Sequence, residues 1–116
     1  MNPPTTFSDV SNFTDFFYSS QENNFKVSIL EFNNRNSLLD NKNFEDVDLK
    51  HAILYNESIY FIYNRYVDWI SDNKIIHIEG DLSSDLILEG KIFNHYKEIY
   101  PSDVNEIEEI SISDIA

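Results

Sequence analysis

Between positions 9 and 19 the apolar side chains fall at Val10, Phe13, Phe16 and Phe17, the i, i+3, i+6, i+7 spacing that lines one face of a helix. Ser8 stands where a cap would accept the first free N–H groups, and Asp9 where a negative charge complements the helix end. The spacing predicts a short amphipathic N-terminal helix. Past a polar break at 21–24, Phe25, Val27 and Ile29 alternate with Lys26, Ser28 and Leu30, the period of two that sends successive side chains to opposite faces of a strand. That strand ends near Phe32. Residues 33–50 contain Leu38, Leu39, Phe44, Val47 and Leu49 but fit no single period, and read as irregular with room for one helical turn.

Positions 51–79 are the aromatic centre of the chain. The runs 51–55 and 59–63 are rich in β-branched and aromatic residues and flank Asn56-Glu57-Ser58, a hairpin signature. A second turn, Ser71-Asp72-Asn73-Lys74, separates residues 66–70 from 75–79, and the whole reads as a β-meander. Ile59, Ile62, Tyr63, Tyr66 and Ile70 also fit a helical stripe capped by Ser58, but the β-forming composition favours strand. Gly80-Asp81 closes the meander. Ser83 or Ser84 then caps a helix over 85–100 with Leu88, Ile92, Phe93, Tyr96, Ile99 and Tyr100 on one face, ended by Pro101. Gly90 weakens that helix, and a strand over 86–89 before a shorter helix is the alternative. In the tail, Val104, Ile107 and Ile110 suit a helical turn, while Ile110 and Ile112 alternate as in a strand. The element order predicts an α+β fold: an antiparallel sheet with a β-meander core, an N-terminal helix and a late C-terminal helix.

At 116 residues the chain is expected to form a single acidic globular domain over 1–116, with a loose N-terminal arm at 1–7 and a flexible tail at 111–116. Leu, Ile, Val and Phe are abundant enough to build a core. There is no cysteine, so no disulfide can form. No unbroken apolar run is long enough to cross a bilayer, and Met1-Asn2-Pro3-Pro4-Thr5-Thr6 lacks a signal-peptide pattern. A cytoplasmic protein is the expectation.

Charge changes the picture most. Eight basic residues stand against 21 acidic ones, a formal net charge of −13. The abundance of Asn (14), Ile (15), Phe (9) and Tyr (7) is what an AT-rich gene produces. Lysine has AT-rich codons too, yet there are only six. Codon bias therefore leaves the scarcity of cations unexplained, and self-repulsion at this charge opposes compaction. A cationic partner accounts for it, whereas nucleic acid and anionic membrane are disfavoured because phosphate binding rests on Lys and Arg.

Candidate chemistry adds little. His51, His77 and His95 lack zinc-ligand spacing, and there is no thiolate. No metal or cofactor is expected. Gly80 and Gly90 are too far apart for a nucleophile elbow or a phosphate-cradling loop, and among 21 carboxylates some pair will fall at glycosidase separation by chance. The chain is expected not to be an enzyme.

What remains is acidic side chains beside aromatics. If 58–70 is one strand, Ile59, Phe61, Tyr63, Val67 and Trp69 face the core. Tyr60, Asn64, Tyr66 and Asp68 then share the other face. Rigid, amphipathic tyrosines serve well as interface anchors, so Tyr60, Asn64, Tyr66, Asp68 and Asp72 form a candidate partner-binding surface. Glu79, Asp81 and Asp85, with Glu89, form an acidic cluster around a turn and a helix start, which would also complement that helix's dipole.

As a small, cysteine-free, acidic, aromatic-rich chain with acidic stretches at Glu45-Asp46-Val47-Asp48 and 103–109, the protein resembles bacterial immunity proteins that neutralise nuclease toxins, including those of contact-dependent growth inhibition. The resemblance transfers no individual residue. It implies a non-enzymatic inhibitor of a basic protein, a nuclease, whose positive cleft attracts carboxylates. A phage-encoded DNA mimic that blocks a restriction, CRISPR or other DNA-binding protein uses the same electrostatics. An assembly or adaptor subunit, with incidental acidity, is the third reading.

Overall fold

The computed structural model describes residues 10–19, 23–41, 50–55 and 57–106. They form β1 (Asn12–Ser19), β2 (Asn24–Glu31), α1 (Arg35–Asn41), β3 (Ala52–Tyr55), β4 (Ser58–Ile62), β5 (Tyr66–Ser71), β6 (Lys74–Gly80), α2 (Ser84–Glu89) and α3 (Lys91–Ile99). The six strands make one sheet in the order β1-β2-β6-β5-β4-β3, and every neighbouring pair is antiparallel. The expected arm at 1–7 and tail at 111–116 lie outside the described residues.

The expected N-terminal helix is a strand. β1 pairs with β2 along its whole length, from Asn12 opposite Glu31 to Ser19 opposite Asn24. The helical spacing of Val10, Phe13, Phe16 and Phe17 is real, but an isolated helix this short is marginal in water. The same segment is rich in Phe, Tyr and Thr, and the open edge of β2 offers it a full ladder of hydrogen bonds. Tertiary pairing overrides the local period.

The meander forms as expected, with one correction that bears on the site. Residues 58–70 are two strands, because the chain turns at residues 63–66, where the Tyr63 N–H donates to the Tyr66 carbonyl (2.9 Å). Reversal at that turn exchanges the faces. Ile59 and Phe61 of β4 share a face with Tyr66, Asp68 and Ile70 of β5, while Tyr60 lies with Val67 and Trp69. In the next turn Ser71 pairs with Lys74, and Asp72 between them takes a positive φ of 55°, which a short polar side chain tolerates.

Both sheet faces carry core. On one, Val27, Ile29, Tyr60, Val67, Trp69, Ile76 and Ile78 are buried beneath Ile87 of α2 and Phe93 and Tyr96 of α3. Trp69 is completely buried, and its indole N–H donates to the Tyr100 carbonyl at 2.6 Å. The single helix expected over 85–100 is divided at Gly90, which caps both α2 and α3 in an extended conformation (φ −85°, ψ 164°). On the other face, Leu30, Phe32, Ile59, Phe61, Ile70 and Ile75 pack with Leu38 of α1 and with Val104. Residues 101–105 strap this end: the Ile59 N–H donates to the Val104 carbonyl (2.7 Å), the Asp103 N–H to Ile70 (3.2 Å), and the Ser102 hydroxyl to Ile59 (2.7 Å).

Candidate interaction surface

The rest of that second face is polar, and strand register dictates its composition. One row across the sheet runs Asp15, Ser28, His77 and Asp68; the next runs Phe17, Lys26, Glu79 and Tyr66.

His77 is the hub. Its Nδ1 lies 2.5 Å from an Asp68 carboxylate oxygen and its Nε2 lies 2.8 Å from Glu79. Burial alone would push the imidazolium to lose its proton, but the hydrogen bonds and charges of Asp68 and Glu79 outweigh it and raise the pKa above the ordinary histidine value. For Glu79, partial burial acts to raise the carboxyl pKa. The hydrogen bonds from His77 and Lys26 win, and it lies below the ordinary value; the Lys26 ammonium is 3.2 Å away. In the next column the Ser28 hydroxyl donates to Asp15 at 2.6 Å, and the second Asp15 oxygen is buried with no hydrogen-bond partner.

Aromatic rings extend the cluster towards the β4–β5 turn. His51 packs on Tyr63 (centroids 4.4 Å apart), Tyr63 stacks on Tyr66 (4.4 Å, 16° between planes), and Tyr66 leans on His77 (5.0 Å). The Tyr66 ring is thus held on both sides. Beside this row an open cleft of about 480 Å³ is lined by Phe17, Phe25, Lys26, Arg65, Glu79 and Asp81, among others.

The sequence-derived candidates therefore separate. Tyr66, Asp68 and Glu79 come together around His77. Tyr60 does not join them: it is 3% exposed on the helix-covered face, ringed by Tyr55, Trp69 and Phe93, and burial raises its phenol pKa. Asn64 and Asp81 sit at the rim, where the Asn64 carbonyl accepts the Ser84 N–H at the start of α2 and the Asp81 carboxylate accepts the Asn24 N–H at the start of β2. Asp85 is exposed in the first turn of α2. Asp72 lies at the opposite end of the β5–β6 hairpin, where its N–H donates to Asp103.

Chemically, both ring nitrogens of His77 are taken by carboxylates, so neither faces a substrate. Among the described residues no group of three or more potential metal ligands converges, and no helix is long and apolar enough to cross a membrane. No family model, curated protein or solved structure matches this chain.

Proposed function

We propose that the protein is a non-enzymatic acidic inhibitor that binds a basic protein, a nuclease toxin, through the Tyr66–Asp68–Glu79 surface, as bacterial immunity proteins do. The observation that supports this best is the clamping of His77. With a carboxylate on each nitrogen, the cluster is a rigid platform of hydrogen-bonding groups and aromatic area, and rigidity reduces the ordering cost of binding. Tyr66, supported by Tyr63 and His77, is the anchor. The net charge of −13 supplies long-range attraction to a cationic cleft, which raises association rates roughly 10–10³-fold.

The test is stopped-flow binding and activity assay against a nuclease encoded beside this gene. Association should slow as salt rises while dissociation changes little. Tyr66→Ala should hasten dissociation and cost about 2 kcal/mol or more. Asp85→Asn, which removes an exposed charge without touching the cluster, should mainly slow association. Asp81 is unsuited to that test because it holds the start of β2. Failure to bind or inhibit any basic protein at low salt would remove this reading and leave that of an adaptor subunit. Binding to a restriction, CRISPR or other DNA-binding protein instead would make the chain a DNA mimic.

A further inference from the structure

His77 meets two carboxylates at once, Asp68 at Nδ1 (2.5 Å) and Glu79 at Nε2 (2.8 Å). Only the protonated ring carries a hydrogen on both nitrogens; the neutral ring has one N–H and turns a lone pair towards the other carboxylate. The two carboxylates are held unequally. The Asp68 side chain is 20% exposed and has His77 as its one side-chain partner among the described residues. Glu79 is 46% exposed, lines the cleft, and also pairs with Lys26. The titratable and charged groups facing this centre are Asp68 and Tyr66 from β5, Glu79 from β6 itself and Lys26 from β2, with Asp15 of β1 beyond Ser28 and Arg65 on the cleft wall. While His77 is protonated, Asp68, Glu79, His77 and Lys26 carry no net charge together. Loss of the proton leaves them a net negative charge.

We propose that an arginine of the basic partner enters from the cleft and takes Glu79 while His77 releases its Nε2 proton to solvent, so that complex formation is coupled to proton release. The proposal rests on the inhibitor reading and adds a pH dependence to it. A guanidinium suits Glu79 because its paired N–H groups match both oxygens of a carboxylate. Phe17, 64% exposed, and Phe25 supply aromatic surface in the same cleft, on which a guanidinium packs well. The incoming charge must be accommodated beside the ammonium of Lys26 and the guanidinium of Arg65. Of the three kinds of cation gathered here, imidazolium is the one that ordinarily titrates near neutral pH, and its proton is the charge the site can shed. In the free chain Asp68 and Glu79 raise the His77 pKa above its ordinary value, so the ring has a proton to give up. Loss from Nε2 keeps the Nδ1–H bond to Asp68.

The test is isothermal titration calorimetry of the full chain with hexa-arginine at low salt, in two buffers of unlike ionisation heat. The difference in heat between the buffers counts the protons released, and a fraction of a proton per bound peptide is expected near neutral pH. Affinity should rise by up to about tenfold per pH unit through the His77 pKa. His77→Gln keeps a donor but cannot ionise. It should release fewer protons, lose that slope, and at about pH 6 bind at least as tightly as the wild type; a purely structural role for His77 would instead weaken binding at every pH. Glu79→Gln should weaken binding and abolish the release. Equal release by the wild type and His77→Gln, or no binding of the peptide, would overturn the proposal. A nuclease inhibited equally well from about pH 6 to about pH 8 would remove the coupling and leave the inhibitor reading standing, whereas no inhibition at any pH would remove both.

Discussion

Burial alone favours a neutral His77, yet Asp68 and Glu79 favour the protonated ring more strongly and raise its pKa, and that balance makes stability depend on pH. Because the folded pKa is raised above 6.5, the stabilisation is fully present below 6.5 and is lost as pH climbs through the folded value. Glu79, whose folded pKa is depressed below 4.5, contributes above 4.5 and loses that contribution as pH falls through its folded value. Melting temperature followed by circular dichroism should therefore be highest on the mildly acid side and decline towards alkaline pH. His77→Gln should flatten the alkaline decline; an unchanged profile would show that the clamp stores no such energy. This cluster was within reach of the sequence. Once Ser71 and Lys74 flank a two-residue turn, counting outward puts Asp68 opposite His77 and Tyr66 opposite Glu79. Asp15 and Lys26 could not be found that way, because their places depend on β2 joining β6, and no local pattern encodes that contact.

The two glycines separate packing from chain flexibility at the level of elements. A Cβ on Gly80 would come within 2.8 Å of the Phe25 ring and 3.0 Å of the Asn24 carbonyl oxygen; the latter is backbone and moves only with the start of β2. Gly80→Ala should lower stability by about 1–3 kcal/mol. At Gly90 the nearest atom to a new Cβ is 3.4 Å away and the backbone is extended, so Gly90→Ala should be neutral or gain up to about 1 kcal/mol through the unfolded state. Urea midpoints at constant slope would measure both. Elements whose partners are close in sequence, β3 to β6, were legible from alternation and turn residues. β1 was not: its apolar spacing fits a helix, and what settles it as a strand is the free edge of β2. The turn at 63–66 was hidden too, because only Asn64 and Arg65 separate two apolar and aromatic runs and no Gly or Pro marks the reversal.

For the whole molecule, 21 acidic side chains against eight basic ones repel one another, and ion pairs such as Arg35 with Asp103 (2.7 Å) relieve only part of this. Raising ionic strength should stabilise the fold by about 1–2 kcal/mol, a rise of several degrees in melting temperature. Scanning calorimetry at low and high salt would measure this, and a lower melting temperature in salt would contradict it. The sheet order has a consequence for synthesis. β1 and β2 can close as a hairpin as soon as residue 31 leaves the ribosome, but the partner of β2's other edge, β6, begins 43 residues later at Lys74. At about 5–20 residues per second that interval is roughly two to nine seconds. Throughout it the nascent chain displays a finished hairpin with both edges bare, the state in which chaperone capture or mispairing with a neighbouring nascent copy has the longest time to occur.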